Sequence, residues 1–197
     1  MLSAISHKRR EAAPRHWPEI AAALAPIVVF WRLVVAGQVL YWGLPALQFV
    51  PWRVLVNDAL RAGHLPLWTP LLGMGAPLMA NHQSAVFYPP NWLSLVIPPE
   101  YAISLLAVLH LSLAGVGMVR LARRTGLGDF GAAIAGLTFG LSGYLTGRLW
   151  FITINNAMAW LPWIVAASTP PLFGVVPNGG GDGGGGRGVR LSALIAL

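Results

Sequence analysis

Tyr101-Ala102-Ile103-Ser104-Leu105-Leu106-Ala107-Val108-Leu109-His110-Leu111-Ser112-Leu113-Ala114-Gly115-Val116-Gly117-Met118-Val119 carries no formally charged side chain and is followed by Arg120, Arg123 and Arg124. A hydrocarbon core of about 30 Å takes about 20 helical residues to cross. This run has the length of a transmembrane helix and a basic stop after it. Working outward, the sequence predicts three more spans: Ile20 to Ala36, interrupted by Pro26 and Arg32, then Phe130 to Leu145, and Ile152 to Ala167. Composition agrees. With 56% hydrophobic and 10% charged residues and a mean hydropathy of +0.64, the chain has too few polar side chains to coat a water-soluble globule. The expected fold class is all-α integral membrane, a multi-pass helical bundle. The absence of cysteine excludes disulfides and thiolate metal sites.

The net charge of +7 points to topology rather than to nucleic acid, because the basic residues flank the apolar runs. Lysines and arginines gather on the cytoplasmic side of a bilayer. With the N-terminus inside, Lys8, Arg9, Arg10, Arg15, Arg120, Arg123, Arg124, Arg187 and Arg190 are cytoplasmic, against Arg53, Arg61 and Arg148 outside. Arg32 can snorkel from the outer end of its span. The expected organisation is a basic tail over 1–19 and a membrane domain over 20–167, in which an outer loop, 38–100, lies on the membrane. A Pro/Gly-rich linker follows over 168–188, and 189–197 reads as the start of a truncated fifth span. The linker lacks the Gly-Lys-Ser/Thr ending of a phosphate loop. No small-x-small cleavage site precedes a polar start, so the first span reads as an uncleaved anchor, and helix partners are expected from sequence beyond Leu197.

Within the outer segment Pro51 suits a first helical turn and Gly63 a terminator. At about 100° per residue, Arg53, Asn57, Asp58 and Arg61 share one arc, broken by Val54, while Trp52, Leu55, Val56, Ala59, Leu60 and Ala62 fill the other. This is the pattern of an interfacial amphipathic helix. Its polar arc is either simply solvated or holds Arg53 and Arg61 against an anionic phosphate at headgroup depth. Asp58, three residues before Arg61, has that arginine as a possible ion-pair partner. Trp42, Trp52, Trp68 and Trp92 fit an interfacial aromatic belt. Asn81, His82, Gln83 and Tyr88 form a neutral hydrogen-bonding cluster, suited to sugar hydroxyls or to satisfying its own loop. Gly136, Gly140, Gly143 and Gly147 make a stripe for close helix packing. His110, an ionisable group inside a span, is a functional candidate by default, with a neutral imidazole bonded to a neighbouring helix as the ordinary alternative. Asn155 and Asn156 put amides at the outer end of the fourth span.

Gln48-Phe49-Val50-Pro51-Trp52-Arg53, Gly63-His64-Leu65-Pro66-Leu67-Trp68-Thr69-Pro70, Gly73-Met74-Gly75-Ala76-Pro77-Leu78, Asn81-His82-Gln83-Ser84, Phe87-Tyr88-Pro89-Pro90-Asn91-Trp92 and Trp160-Leu161-Pro162-Trp163 together resemble the bacterial YfhO family. Its members are large multi-pass membrane proteins similar to the GT-C glycosyltransferases. The resemblance implies transfer of a sugar from a polyprenyl-phosphate carrier to an acceptor in the cell envelope, on the outer face of the cytoplasmic (inner) membrane. It implies membrane lipid and the lipid-linked sugar as partners. Gln48, Arg53, Arg61, His64, Asn81, Gln83, Tyr88 and Arg148 are then the expected substrate contacts, the arginines on phosphate and the others on sugar. Where GT-C enzymes carry an acidic residue after the first span, this chain has Gly43-Leu44-Pro45. The catalytic base, or a ligand for a divalent cation, then falls to Asp58 or Glu100, the two outward carboxylates. The alternative is a non-catalytic component that binds or exports lipid-linked glycan. A small-solute transporter is disfavoured by the absence of an inverted repeat.

Overall fold

The computed structural model describes residues 16–168. The basic residues Lys8, Arg9, Arg10 and Arg15, all of the 168–188 linker but Ser168, and the fifth span expected at 189–197 lie outside the described residues. What is described is mostly helical: α1 (Trp17–Val29), α2 (Trp31–Val34), α3 (Val50–Arg61), α4 (Pro99–Arg124), α5 (Asp129–Gly140), α6 (Gly143–Thr146) and α7 (Ile152–Ser168). The sheet is a single two-residue ladder, β1 (Trp68–Thr69) antiparallel to β2 (Ala76–Pro77).

Among the described residues, α4 is the one helix long and apolar enough to cross a bilayer. Its 26 residues rise about 39 Å at 1.5 Å per residue. It begins with Pro99 after Pro98, where a missing N–H costs nothing and proline's fixed φ suits the first turn. It runs on through the arginines that the sequence reading had placed beyond its end. α4 is also the central element: α1, α5 and α7 pack against it. Ala107, Leu111 and Ala114 meet Leu145, Leu149 and Ala159 along one stretch, and Val119 and Ala122 meet Ala22 and Ala132 along another.

The other expected spans are subdivided. The run from Ile20 to Ala36 starts at Trp17, leaves helical geometry at Phe30 (φ −104°, ψ 30°) and resumes only as the short α2. Pro26 sits inside α1 and supplies no N–H to the carbonyl four residues earlier, which weakens the last turns. The run from Phe130 to Leu145 stops at Gly140 and restarts at Gly143, where the Ser142 side chain accepts from the Leu145 N–H and caps α6. The four-glycine stripe is therefore divided. Gly136 and Gly140 lie against α4, where an added Cβ would stand 2.8 Å from Gly115 O and 3.0 Å from Leu111 O respectively, whereas Gly143 faces open space.

The basic end of α4 is tied into the bundle. Arg123 forms ion pairs with Glu19 of α1 and Asp129 of α5, and Arg124 donates to the Ala166 carbonyl near the end of α7. Outward, the bundle is apolar: Ile20, Leu24 and Val28 of α1, Phe130 and Ile134 of α5, and Leu161 and Ile164 of α7 are all exposed.

The segment between α2 and α4 is not a sheet of chain spread over a surface. A π-helical turn, Pro45–Phe49, runs straight into α3, which ends where Gly63 takes φ +79°, a conformation that costs glycine little. Leu78 and Val86 from the following loop bury Val56 of α3. Residues Pro89–Leu95 form a 3₁₀ turn that packs on α4. Tyr101 donates to the Val34 carbonyl, and Leu40 N–H donates to Ser104 Oγ at 2.8 Å, so the N-terminal end of the segment is fastened to the first turns of α4.

Candidate functional site

The polar arc of α3 is divided: Arg53 and Asn57 are buried, whereas Asp58 and Arg61 are exposed. Asn57 is buried; its amide donates to Ser94 O at 2.7 Å and its oxygen accepts from Ser94 Oγ at 3.0 Å. Arg61 donates to Leu95 O at 2.9 Å. These bonds hold the 3₁₀ turn against α3 and satisfy carbonyls that a short turn leaves open. Arg53 is buried as well, and desolvation lowers its pKa to about 10. Among the described residues it has no carboxylate partner. Asp58 is exposed and is not paired with Arg61.

Two adjoining clefts lie between the 38–100 segment and the first half of α7. The first, about 430 Å³, is lined by Leu44, Gln48, Phe49, His82, Gln83, Phe151, Thr153 and Ile154. The second, about 300 Å³, is lined by His82, Ala85, Tyr88, Thr153, Asn156 and Trp160. His82 and Thr153 belong to both, so the two form one groove. Gln48 donates to Gln83 across the first, joining the π turn to a loop 35 residues further on. Asn81 shapes that loop rather than the groove: its side chain accepts from Gln83 N–H at 3.0 Å, and its carbonyl accepts from Ser84 Oγ at 2.7 Å.

The floor of the groove is a chain of hydrogen bonds through Tyr88. His110 Nδ1 lies 2.7 Å from Leu106 O. A carbonyl only accepts, so in the neutral ring Nδ1 carries the proton and Nε2 is the acceptor. Tyr88 Oη–H donates to that Nε2 at 2.5 Å and accepts from Trp160 Nε1–H at 2.9 Å. The phenol oxygen keeps one lone pair for a further donor. Beside it stands Asn156, 8% exposed, whose Oδ1 is buried without a partner. An unpaired buried amide oxygen costs about 1–3 kcal/mol. The neighbouring Asn155 also has a buried Oδ1 without a partner, but its amide nitrogen is engaged: it donates to Leu145 O at 3.1 Å and to Arg148 O at 3.0 Å, joining α7 to the turn after α6.

His110 is eleven residues into α4, so Tyr88 reaches about 16 Å along that helix at 1.5 Å per residue. The loop thus enters between α4 and α7 instead of lying flat.

The residues expected to act together fall into separate places. Gln48, Gln83 and Tyr88 converge on the groove. Asp58 and His64 line a different cleft, about 560 Å³, with Trp68 and Leu71. Glu100 sits in the first turn of α4 and lines neither. Arg148 is exposed, its guanidinium 4.6 Å from the Tyr144 ring. Among the described residues no three histidines or carboxylates converge as metal ligands. The groove's additional members, Thr153, Asn156 and Trp160, come from α7. In the sequence, the two successive amides opening an apolar run pointed to Asn156, and Trp160 stood in the Trp160-Leu161-Pro162-Trp163 stretch; Thr153 had no signal.

Comparison of the chain with family models, with curated proteins and with solved structures finds no match.

Proposed function

We propose that this chain is the glycan-recognising part of a multi-pass protein of YfhO type in the bacterial inner membrane. It binds a polyprenyl-phosphate-linked sugar in the groove between its outward-facing segment and α7. In this reading α1 with α2, α4, α5 with α6, and α7 each cross the bilayer, with the N-terminus in the cytoplasm. The apolar outer faces of α1, α5 and α7 support a lipid surround, because such surfaces are avoided in water.

The observation that carries the ligand reading is that Tyr88, whose oxygen keeps a lone pair after its bonds to His110 and Trp160, and Asn156, whose Oδ1 has no partner, line the same cleft. Two neutral acceptors next to aromatic and aliphatic walls suit a ligand rich in hydroxyl donors. Binding is favoured over transfer because no carboxylate lines the groove. A second reading, sugar transfer with Asp58 as base, draws support from Asp58 and His64 sharing one cleft.

The test is native mass spectrometry of the full chain in detergent, with polyprenyl phosphate and its glycosylated form. The sugar-bearing lipid is expected to bind about tenfold more tightly, a difference of about 1.4 kcal/mol. Asn156→Leu is expected to abolish that preference. Equal affinity for both lipids in the unaltered protein would contradict the proposal. Consumption of the lipid-linked sugar, lost in Asp58→Asn, would establish transfer in its place.

A further inference from the structure

At the end of α4 remote from the groove, a cleft of about 370 Å³ is lined by Glu19, Arg120, Arg123, Arg124, Trp163, Ala166 and Ala167. Its charges are unequal in availability. Arg123 is shared by Glu19 and Asp129. Arg120 and Arg124, one helical turn apart and both exposed, have no carboxylate partner among the described residues. Arg120 and Arg124 together with the Arg123–Glu19–Asp129 cluster, which nets −1, leave this end of α4 with a net charge of +1, carried on the two arginines that have no carboxylate partner among the described residues.

Both guanidinium groups are held in place. Trp163 Nε1–H donates to Leu113 O at 3.0 Å. Its ring lies in a notch that exists because residue 117 is glycine: a Cβ there would stand 2.6 Å from Trp163 Cδ1. The ring so fixed is a platform for Arg120, whose guanidinium carbon is 4.7 Å from the ring centroid. That stacking uses the face of the guanidinium and leaves its N–H edge for an acceptor. Arg124 spends one amino group on Ala166 O and retains other N–H donors. A fixed pair of planar donors of like charge matches a phosphate diester, and Trp163 and Ala167 supply apolar surface beside it.

We infer that this cleft binds the phosphate of an anionic glycerophospholipid, with Arg120 and Arg124 as its ligands and Trp163 as the platform that orients Arg120. The inference rests on the bilayer reading of α4, which sets these arginines at headgroup depth, where basic pockets between helices take anionic headgroups. It is independent of the sugar groove.

The test uses the full chain purified in detergent, with thermal unfolding followed after addition of phosphatidylglycerol, phosphatidylcholine or inorganic phosphate. Phosphatidylglycerol is expected to raise the midpoint, and the other two to leave it unchanged. Arg120→Gln combined with Arg124→Gln is expected to remove the rise. Because Arg124 also caps α7, Arg120→Gln alone provides a second variant, read by native mass spectrometry as loss of retained phosphatidylglycerol. A rise of equal size with phosphatidylcholine, or an undiminished rise in the double variant together with undiminished phosphatidylglycerol retention in Arg120→Gln, would overturn the lipid site. The full effect from inorganic phosphate alone would replace it with a free-phosphate site. A chain that stays monodisperse without detergent would overturn the bilayer reading beneath it.

Discussion

Gly136→Val is expected to destabilise the bundle by about 3 kcal/mol or more, at the upper end of what overpacking costs. A Cβ at position 136 would stand 2.8 Å from Gly115 O and 3.2 Å from Ala22 Cβ. Neither neighbour gives way easily: one is helix backbone, the other the methyl of a residue itself 1% exposed. The added side chain must push α5 off α4 and α1 together. Thermal unfolding in detergent checks this, with Gly143→Val as the control, since position 143 faces open space and its substitution is expected to leave the midpoint near that of the parent. Equal midpoints for the two variants would mean that α5 does not approach α4 through Gly136.

Tyr88→Phe is expected to cost about 2 kcal/mol of stability and to remove ligand binding. The phenol ties the loop to His110, midway along α4. Without it, His110 Nε2 is left as a buried acceptor without a donor, a loss of about 1–3 kcal/mol, and Trp160 Nε1 loses its acceptor. His110→Phe in the Tyr88→Phe background is expected to recover part of the stability, because removing both polar partners is cheaper than removing one. It is not expected to recover binding. If the double variant is no more stable than Tyr88→Phe, the hydrogen bond is not what holds the loop there.

The sequence carried α4 well, since an uninterrupted apolar run with a basic end has few other solutions. It carried α1 and α5 less well. Pro26 was visible as an interruption, but that the helix yields four residues later, at Phe30, depends on how the chain turns toward α4. Ser142 is an ordinary helix cap, yet inside an apolar run the run dominated the reading and Gly143 was counted into a stripe it does not join. The polar arc of α3 was legible as an arc; its direction was not, because burial of Asn57 depends on Ser94, 37 residues away. The groove has the same limitation. Gln48, Gln83 and Tyr88 were singled out by residue type, whereas the partnership of Tyr88 with His110 and Trp160 joins three segments whose register no local pattern encodes. Of the two carboxylates in the 38–100 segment, Asp58 is the one on the amphipathic helix, which is what the sequence offers in its favour. Its position in a separate cleft from the amide cluster is a property of the folded loop.

The account stands on α4 crossing a bilayer with the groove end outside. Because the chain has no cysteine, single substitutions report sidedness without background. Met74→Cys lies at a fully exposed position of the outer segment, and Leu127→Cys in the exposed turn after α4. Labelling of spheroplasts with a membrane-impermeant maleimide is predicted to modify Met74→Cys at once and Leu127→Cys only after lysis. Modification of both positions in intact spheroplasts, or of Leu127→Cys alone, would contradict it.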